Sequence, residues 1–438
     1  MFEKIFKLSE HGTTVKQEVI AGLTTFLAMA YILFVNSGML GELEGLSYSS
    51  VFFATAISAA ISSILMGLYA NYPVALAPGM GANAFFTYTV CFAYGYTAAE
   101  ALAGVFVSGI IFLVISVTGL RKAVINAIPK NMKLAIGAGI GFFIAYIALQ
   151  NGGIIVASAT VSGLGNFHDP VVLLSVFGIV VTFILMSLKV NGASFIGMII
   201  TAVVGVIAGL MGVAGMPTLP TGLVSLSFDT SAVGLFLQGF GGFFSHSNWL
   251  LVIFTFLFVD FFDTAGTLVA VGNNIGLVDE NGEMKDVEKA LLSDSVGTVI
   301  GSCVGTSTVT SFVESGAGVA AGGRTGLTAV VTGICFLLST VFSPVLSVVT
   351  SAVTTCAIFT VGVLMAQQLK NIDWEEFEVA APAFVTVIFM TLAYSISDGL
   401  ALGFIVYGAC MAAAKRTKEV SPVCWGLIAL FILYFILG

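Results

Sequence analysis

Apolar runs of about twenty residues, parted by short polar stretches, recur along the whole chain. A helix needs ~20 apolar residues to cross a bilayer. By that rule the first runs are 18–39, 49–70, 74–93, 99–119, 131–150, 170–188 and 192–213. A second set follows at 247–272, 289–304, 308–323, 325–342, 344–368, 379–394 and 398–414. The pattern predicts an all-α polytopic membrane protein with about fourteen transmembrane segments. A further apolar stretch at 421–437 fits either another span or a helix lying at the interface.

Two of these runs are broken by glycine and polar residues. In the third, Ala77-Pro78-Gly79-Met80-Gly81-Ala82-Asn83-Ala84 interrupts the helix pattern, and in the tenth the interruption runs from Gly305 through Ser311, Glu314 and Gly318 to Gly326. Pro78 ends a helix and the glycines free the backbone. The stretch Thr306 to Val313 is rich in β-branched and hydroxyl residues, which favours a short extended piece. Extended backbone at membrane depth survives only where it lines a cavity or is buried in protein. Seven runs precede residue 230 and seven follow. An odd number per half places two like halves in opposite orientations, with the third segment of each half broken. Paired interruptions of this kind mark the binding site of a carrier.

Basic residues orient the spans. Lys and Arg gather on the cytoplasmic side, and with a cytoplasmic amino terminus they follow the even-numbered spans. Arg121, Lys122, Lys130 and Lys133 follow the fourth, Lys189 the sixth, Lys285 and Lys289 the eighth. Arg324 follows the tenth, Lys370 the twelfth, and Lys415, Arg416 and Lys418 the fourteenth, whereas Gly41 to Ser47, Ser158 to Asp169 and Gly215 to Ser247 contain neither Lys nor Arg. The first residues, Met1 to Glu18, mix both charges without an apolar signal core and read as a cytoplasmic lead-in.

Composition strengthens this picture. Hydrophobic residues make up 58% of the 438 and charged ones 9%, against roughly 25% charged in soluble domains, and the mean hydropathy is +1.08. The solvent for this surface is a lipid bilayer. The net charge of -8 sits largely in loops such as Asp279 to Glu288 and Asp373 to Glu378. No basic stripe supports nucleic-acid binding. The six cysteines occur singly, with no Cys-x-x-Cys pair, and read as reduced thiols in or beside apolar runs. Phosphate loops, His-Glu-x-x-His sites and Ser-His-Asp arrangements are not evident, and His11, His168 and His246 fall outside the spans.

The chemistry therefore rests on polar groups inside spans. Ser311-Phe312-Val313-Glu314 reads as a helix start, with Ser311 as cap and Glu314 three residues on. A carboxylate within a span is costly, since a central Asp, Lys or Arg costs ~2.5–3.5 kcal/mol on insertion scales. A cap alone explains its retention poorly, because Gln would serve as well. In the eighth run Asp260, Asp263, Thr264 and Thr267 share one helical face, either as a network in which threonines satisfy the carboxylates or as part of a substrate site. Asn83 fits both a ligand contact and a bridge between helices. Three carboxylates, an amide, no intramembrane Lys and 37 Phe in the chain fit a planar substrate with N–H donors, such as a nucleobase.

At these residues the chain resembles the purine permeases of the AzgA-like branch of the nucleobase–cation symporters, over essentially its whole length. The resemblance is carried by Ile20-Ala21-Gly22-Leu23-Thr24-Thr25-Phe26-Leu27-Ala28-Met29-Ala30-Tyr31 and by Ala77 to Phe86. It continues through Asp263-Thr264-Ala265-Gly266-Thr267-Leu268 and Phe312-Val313-Glu314-Ser315-Gly316-Ala317-Gly318. It implies a fourteen-helix, seven-plus-seven inverted repeat in which a core domain (15–125 and 245–342) moves against a gate domain (126–244 and 343–438). It further implies that Asp263 and Glu314 are the substrate-binding acids and that Asn83 is a polar residue of the site. Backbone amides of Gly81 or Ser315 would add hydrogen bonds, and Asp260, Asp263 and Glu314 are the candidates for proton coupling. The function implied is import of hypoxanthine, guanine or adenine by proton symport across the cell membrane, without a cofactor or metal and with a homodimer allowed. Alternatives are a uracil or xanthine permease and an anion exchanger or channel of the same fold; facing carboxylates count against the anion.

Overall fold

A computed structural model describes residues 2–118, 129–158, 161–220, 222–274 and 286–437. Arg121, Lys122, Lys285 and the acidic loop from Asp279 to residue 285 lie outside the described residues. The first half begins with a short helix, α1 (Phe2–Phe6), then α2 (Val15–Met29), α3 (Ile32–Leu40) and α4 (Tyr48–Leu65). The third apolar run, the first of two broken crossings, consists of β1 (Leu76–Pro78), α5 (Met80–Ala84) and a wider π-wound continuation, Phe85–Ala93. After it come α6 (Ala98–Thr118), α7 (Lys130–Asn151), a hairpin of β2 (Ile155–Ser158) and β3 (Val161–Leu164), α8 (Pro170–Ser187) and α9 (Ala193–Leu210).

The second half opens with α10 (Phe236–Phe243), α11 (Trp249–Asn274) and α12 (Val287–Val304). Its broken crossing is β4 (Val309–Ser311) with α13 (Ser315–Ala320), and α14 (Gly326–Ser339), α15 (Ser351–Ala366), α16 (Phe377–Leu392), α17 (Ile396–Ala413) and α18 (Pro422–Leu437) complete the fold. Among the described residues nine helices are long and apolar enough to span a membrane. Along α8 and α9, Ile184, Val203, Ile207 and Leu210 stay more than half exposed, an apolar surface suited to lipid.

Three features depart from the sequence pattern. The first run is divided at Ala30 and Tyr31, both with right-handed helical dihedrals, so neither glycine nor proline announces the break. The supposed loops after α7 and before α11 hold the β2–β3 hairpin and α10. The capping box at Ser311 does not form. Ser311 lies in β4, α13 begins at Ser315, and Glu314 stands at its N-cap without a side-chain cap bond. The β-branched run extends the strand past the point where a cap would sit.

The two broken crossings meet in the interior. β1 and β4 pair antiparallel, with Leu76 opposite Ser311, Ala77 opposite Thr310 and Pro78 opposite Val309, and every residue of both strands is buried. Gly79 N–H donates to Thr308 C=O at 2.9 Å and Phe312 N–H to Ala75 C=O at 3.0 Å, extending the ladder at both ends. The outer edge of β1 is satisfied by Ser63 of α4, whose hydroxyl oxygen accepts Leu76 N–H at 2.9 Å. Pro78 has no N–H to satisfy. At the entry to β4, Gly305 takes φ +103° and its N–H closes α12 onto Gly301 C=O, a left-handed stop that favours glycine.

Around this pair α14 packs on α2 and α4, and α12 on α4 and α6. A second group forms where α7 packs on α15 and α16, α15 on α8, and α16 on α17. Aromatic side chains fill the interior, with the rings of Phe85 and Phe256 4.9 Å apart and edge to face. The six cysteines are unpaired, with Cys91, Cys356 and Cys424 buried.

Candidate functional site

A cavity of about 940 Å³ lies where the broken crossings face α7 and α15. One wall is made by Gly79, Met80 and Gly81, by Thr310 through Glu314, and by Asp263 and Thr267 of α11. The opposite wall is apolar, with Ile136, Gly137 and Ile140 of α7 and Val361, Leu364 and Met365 of α15. Lys130, Lys133 and Lys370 stand at one end with Gln367, Gln368 and Asn371. The site is thus a greasy slot with two carboxylates on one face and cations at its mouth.

Local chain geometry brings these groups together. β1 and β4 run antiparallel, so α5 and the turn leading into α13 leave the pair in opposite directions. Gly81 and Glu314 therefore border the same space from the two halves of the chain. Asp263 comes from the unbroken α11 beside them, and its Oδ2 lies 3.7 Å from where a Cβ on Gly81 would stand. Glu314 accepts a hydrogen bond on Oε1 from the Tyr31 hydroxyl at 2.6 Å. Tyr31 is itself buried, at the division between α2 and α3. Charge-assisted O–H···O⁻ bonds of this length are the strong ones.

The polar face of α11 splits in two. Asp263 and Thr267 line the cavity. Asp260 and Thr264, also one turn apart, face the buried side toward α12. There Asp260 Oδ2 accepts the Thr298 hydroxyl at 2.6 Å. Asp260 does not line the cavity, and neither do Asn83 and Ser315. Asn83 is fully buried; its amide nitrogen donates to Pro78 C=O at 3.4 Å, and its carbonyl oxygen accepts the Ser307 hydroxyl. Ser315 is also committed: its hydroxyl oxygen accepts Ala75 N–H at 3.0 Å, and its own N–H donates to Phe312 C=O at 3.1 Å. Of the residues that the sequence singles out, the cavity brings together Gly81, Asp263 and Glu314.

Sequence reasoning missed Tyr31 and Asp294. Asp294 is a fully buried carboxylate in α12, and the rule that singled out Asp260 applies equally to it. Tyr31 gave no signal beyond its place in the resemblance. The wealth of phenylalanine serves mostly packing, since the aromatic side chains lining the cavity among the described residues are Tyr31 and Phe312.

Comparison with known proteins gives concordant likenesses. The model of the Permease family matches residues 16–402. Over an alignment 446 positions long the chain is 50% identical to guanine/hypoxanthine permease PbuG of Bacillus subtilis (strain 168), with 98% of each chain covered. It is 40% identical over 434 residues to adenine permease AdeP of Escherichia coli (strain K12), covering 99% of this chain and 95% of that protein. Among solved structures, the transmembrane domain of the cyanobacterial bicarbonate transporter BicA superposes with a TM-score of 0.64 at 14% identity, covering 88% of this chain and 96% of that one. At that identity the likeness concerns the fold alone.

Proposed function

The chain belongs to the Permease family, and on that premise we propose that it imports purine nucleobases by alternating access through the cavity between the broken crossings and α7 with α15. It is a multi-pass membrane transporter and not an enzyme. Guanine, hypoxanthine and adenine are the substrates in the names of its relatives.

The observation that carries the reading is the placing of Glu314 and Asp263 on one wall of an otherwise apolar slot. A purine is flat, with ring N–H donors on its edge. Carboxylates accept from such donors, while the apolar wall of Ile136, Ile140 and Val361 covers the π face. Glu314 anchors the ring N–H groups, Asp263 completes the site, and one of these acids carries the coupling proton. Asn83 and Ser315 hold the broken crossings in place around the substrate.

In this account the fold is a fourteen-span, seven-plus-seven inverted repeat with the core at 15–125 and 245–342 and the gate at 126–244 and 343–438. The pairing of one broken crossing from each half supports that symmetry. Lys130, Lys133 and Lys370 at the cavity mouth support a cytoplasmic opening and a cytoplasmic amino terminus. A carrier of small anions on the same fold is the second reading, favoured by those lysines. Two carboxylates deeper in the slot repel an anion where it would have to bind.

The test is initial-rate uptake of labelled hypoxanthine by cells without their own nucleobase permeases. Competitors are guanine, adenine, xanthine, uracil and bicarbonate, each with and without a protonophore. Uptake blocked by purines and by the protonophore, and untouched by uracil or bicarbonate, is the expected result. Absence of hypoxanthine uptake, with labelled bicarbonate entering the same cells in a parallel assay, would replace the reading with the second one.

A further inference from the structure

Asp260 and Asp294 sit behind the cavity wall, fully buried on the facing sides of α11 and α12. Each is followed one turn later by a threonine, and the threonines are exchanged between the helices. Thr264, after Asp260, donates its hydroxyl to Asp294 Oδ1 at 2.7 Å. Thr298, after Asp294, donates to Asp260 Oδ2 at 2.6 Å. A threonine in a helix ordinarily returns its hydroxyl hydrogen to the carbonyl four residues back. Thr55, Thr201 and Thr360 of this chain do so. At Thr264 and Thr298 a carboxyl oxygen of the neighbouring helix takes the hydrogen instead.

The same threonine oxygens also accept, through their lone pairs. Thr264 Oγ1 accepts Ser311 N–H at 3.0 Å, and Thr298 Oγ1 accepts Val309 N–H at 3.2 Å. These two N–H groups lie on the edge of β4 that faces away from β1, where no strand among the described residues receives them. Val309 C=O also lies 3.2 Å from Thr298 Oγ1, farther than the Asp260 oxygen, and Ser311 Oγ reaches Asp294 Oδ1 at 3.4 Å.

We propose that Asp260 and Asp294, through Thr264 and Thr298, are positioning residues that fix β4, and with it Glu314, against the cavity. Each carboxylate orients a hydroxyl, each hydroxyl oxygen holds one outer-edge amide of the strand, and Glu314 follows three residues after the second of those amides. Asp260 thus acts from behind the wall and not as a substrate contact. The brace stands on hydrogen bonds alone; its consequence for purine binding rests on the function proposed above.

The test uses purified full-length protein and two readouts, amide hydrogen exchange across 305–314 and equilibrium binding of labelled hypoxanthine. Thr264→Val keeps the shape and removes the hydroxyl, whereas Thr264→Ser keeps the hydroxyl. Exchange at Ser311 is expected to quicken at least about tenfold in Thr264→Val, the scale of one buried hydrogen bond, and to stay within about twofold of wild type in Thr264→Ser. Hypoxanthine Kd is expected to rise in parallel, with exchange in α15 unchanged as the control for folding. Should Thr264→Val fail to fold, Thr298→Val read at Val309 replaces it. Unchanged exchange in the folded valine variant, or equal acceleration in the serine variant, overturns the brace. Faster exchange with no hypoxanthine binding by wild type upholds the brace and refutes the purine reading alone.

Discussion

The Tyr31 hydroxyl donates to Glu314 Oε1 across 2.6 Å, tying the division between α2 and α3 to the start of α13. The bond commits one carboxyl oxygen and, by restraining the side-chain torsions, fixes the position of the other. A hydrogen bond to a charged group contributes about 1.5–3 kcal/mol. Tyr31→Phe is therefore expected to weaken hypoxanthine binding by about tenfold or more at unchanged abundance in the membrane. Glu314→Gln, which keeps the size and loses the charge, is expected to abolish most uptake. Titration of purified variants with labelled hypoxanthine checks both.

Gly81 lies against Ile140 of α7. A Cβ there would stand 2.8 Å from Ile140 Cγ2, so Gly81→Ala must displace that side chain across the cavity. We expect uptake to slow several-fold and Ile140→Ala in the same chain to recover part of it. Gly38, around which a Cβ would meet nothing within 4 Å, supplies the control: Gly38→Ala leaves initial rates unchanged.

Asn83 joins the two broken crossings through Ser307 and reaches back to Pro78. Its loss leaves a buried hydroxyl without its acceptor. Asn83→Ala is expected to lower the unfolding temperature in detergent, and Asn83→Ala with Ser307→Ala to cost less than the two single changes added together, as linked partners do. Strict additivity would show that the pair is not coupled.

The broken crossings were legible because their causes are local. Pro78 with Gly79 and Gly81 stops a helix, and the β-branched run before Ser311 extends the chain. Asp263 and Glu314 were legible because lipid makes any carboxylate conspicuous. What stayed hidden depends on partners distant in sequence. The Ala30–Tyr31 division has helical dihedrals and no breaker. Its tyrosine has meaning only beside Glu314, 283 residues away. The helical period placed Asp260 and Asp263 on one face, yet a 60° offset was enough to send one to α12 and the other to the cavity.

Asp229 offers a titration outside the spans. Ser47 and Ser49 donate hydroxyls to its Oδ2 at 2.5 and 2.8 Å, and Ser231 donates to Oδ1 at 2.7 Å. Led by the Ser47 bond, these hold the carboxyl at about 2, below the ~3.9 of an unfolded aspartate. A depressed folded value stabilises the fold above the unfolded pKa, and the gain fades as pH falls through the folded one. The melting temperature of wild type relative to Asp229→Asn should therefore be steady from pH 8 to 5 and decline below about pH 4. The effect is modest because the site is partly exposed. A relative gain on acidification would contradict the assignment.

The central claim is that a purine binds against Glu314 and Asp263, and equilibrium binding of labelled hypoxanthine to the purified full-length protein tests it most directly. The account predicts saturable binding by wild type, displaced by guanine and adenine but not by uracil or bicarbonate, and lost in folded Glu314→Gln and Asp263→Asn. Absence of saturable binding by folded wild type, or undiminished binding by Glu314→Gln, would contradict it.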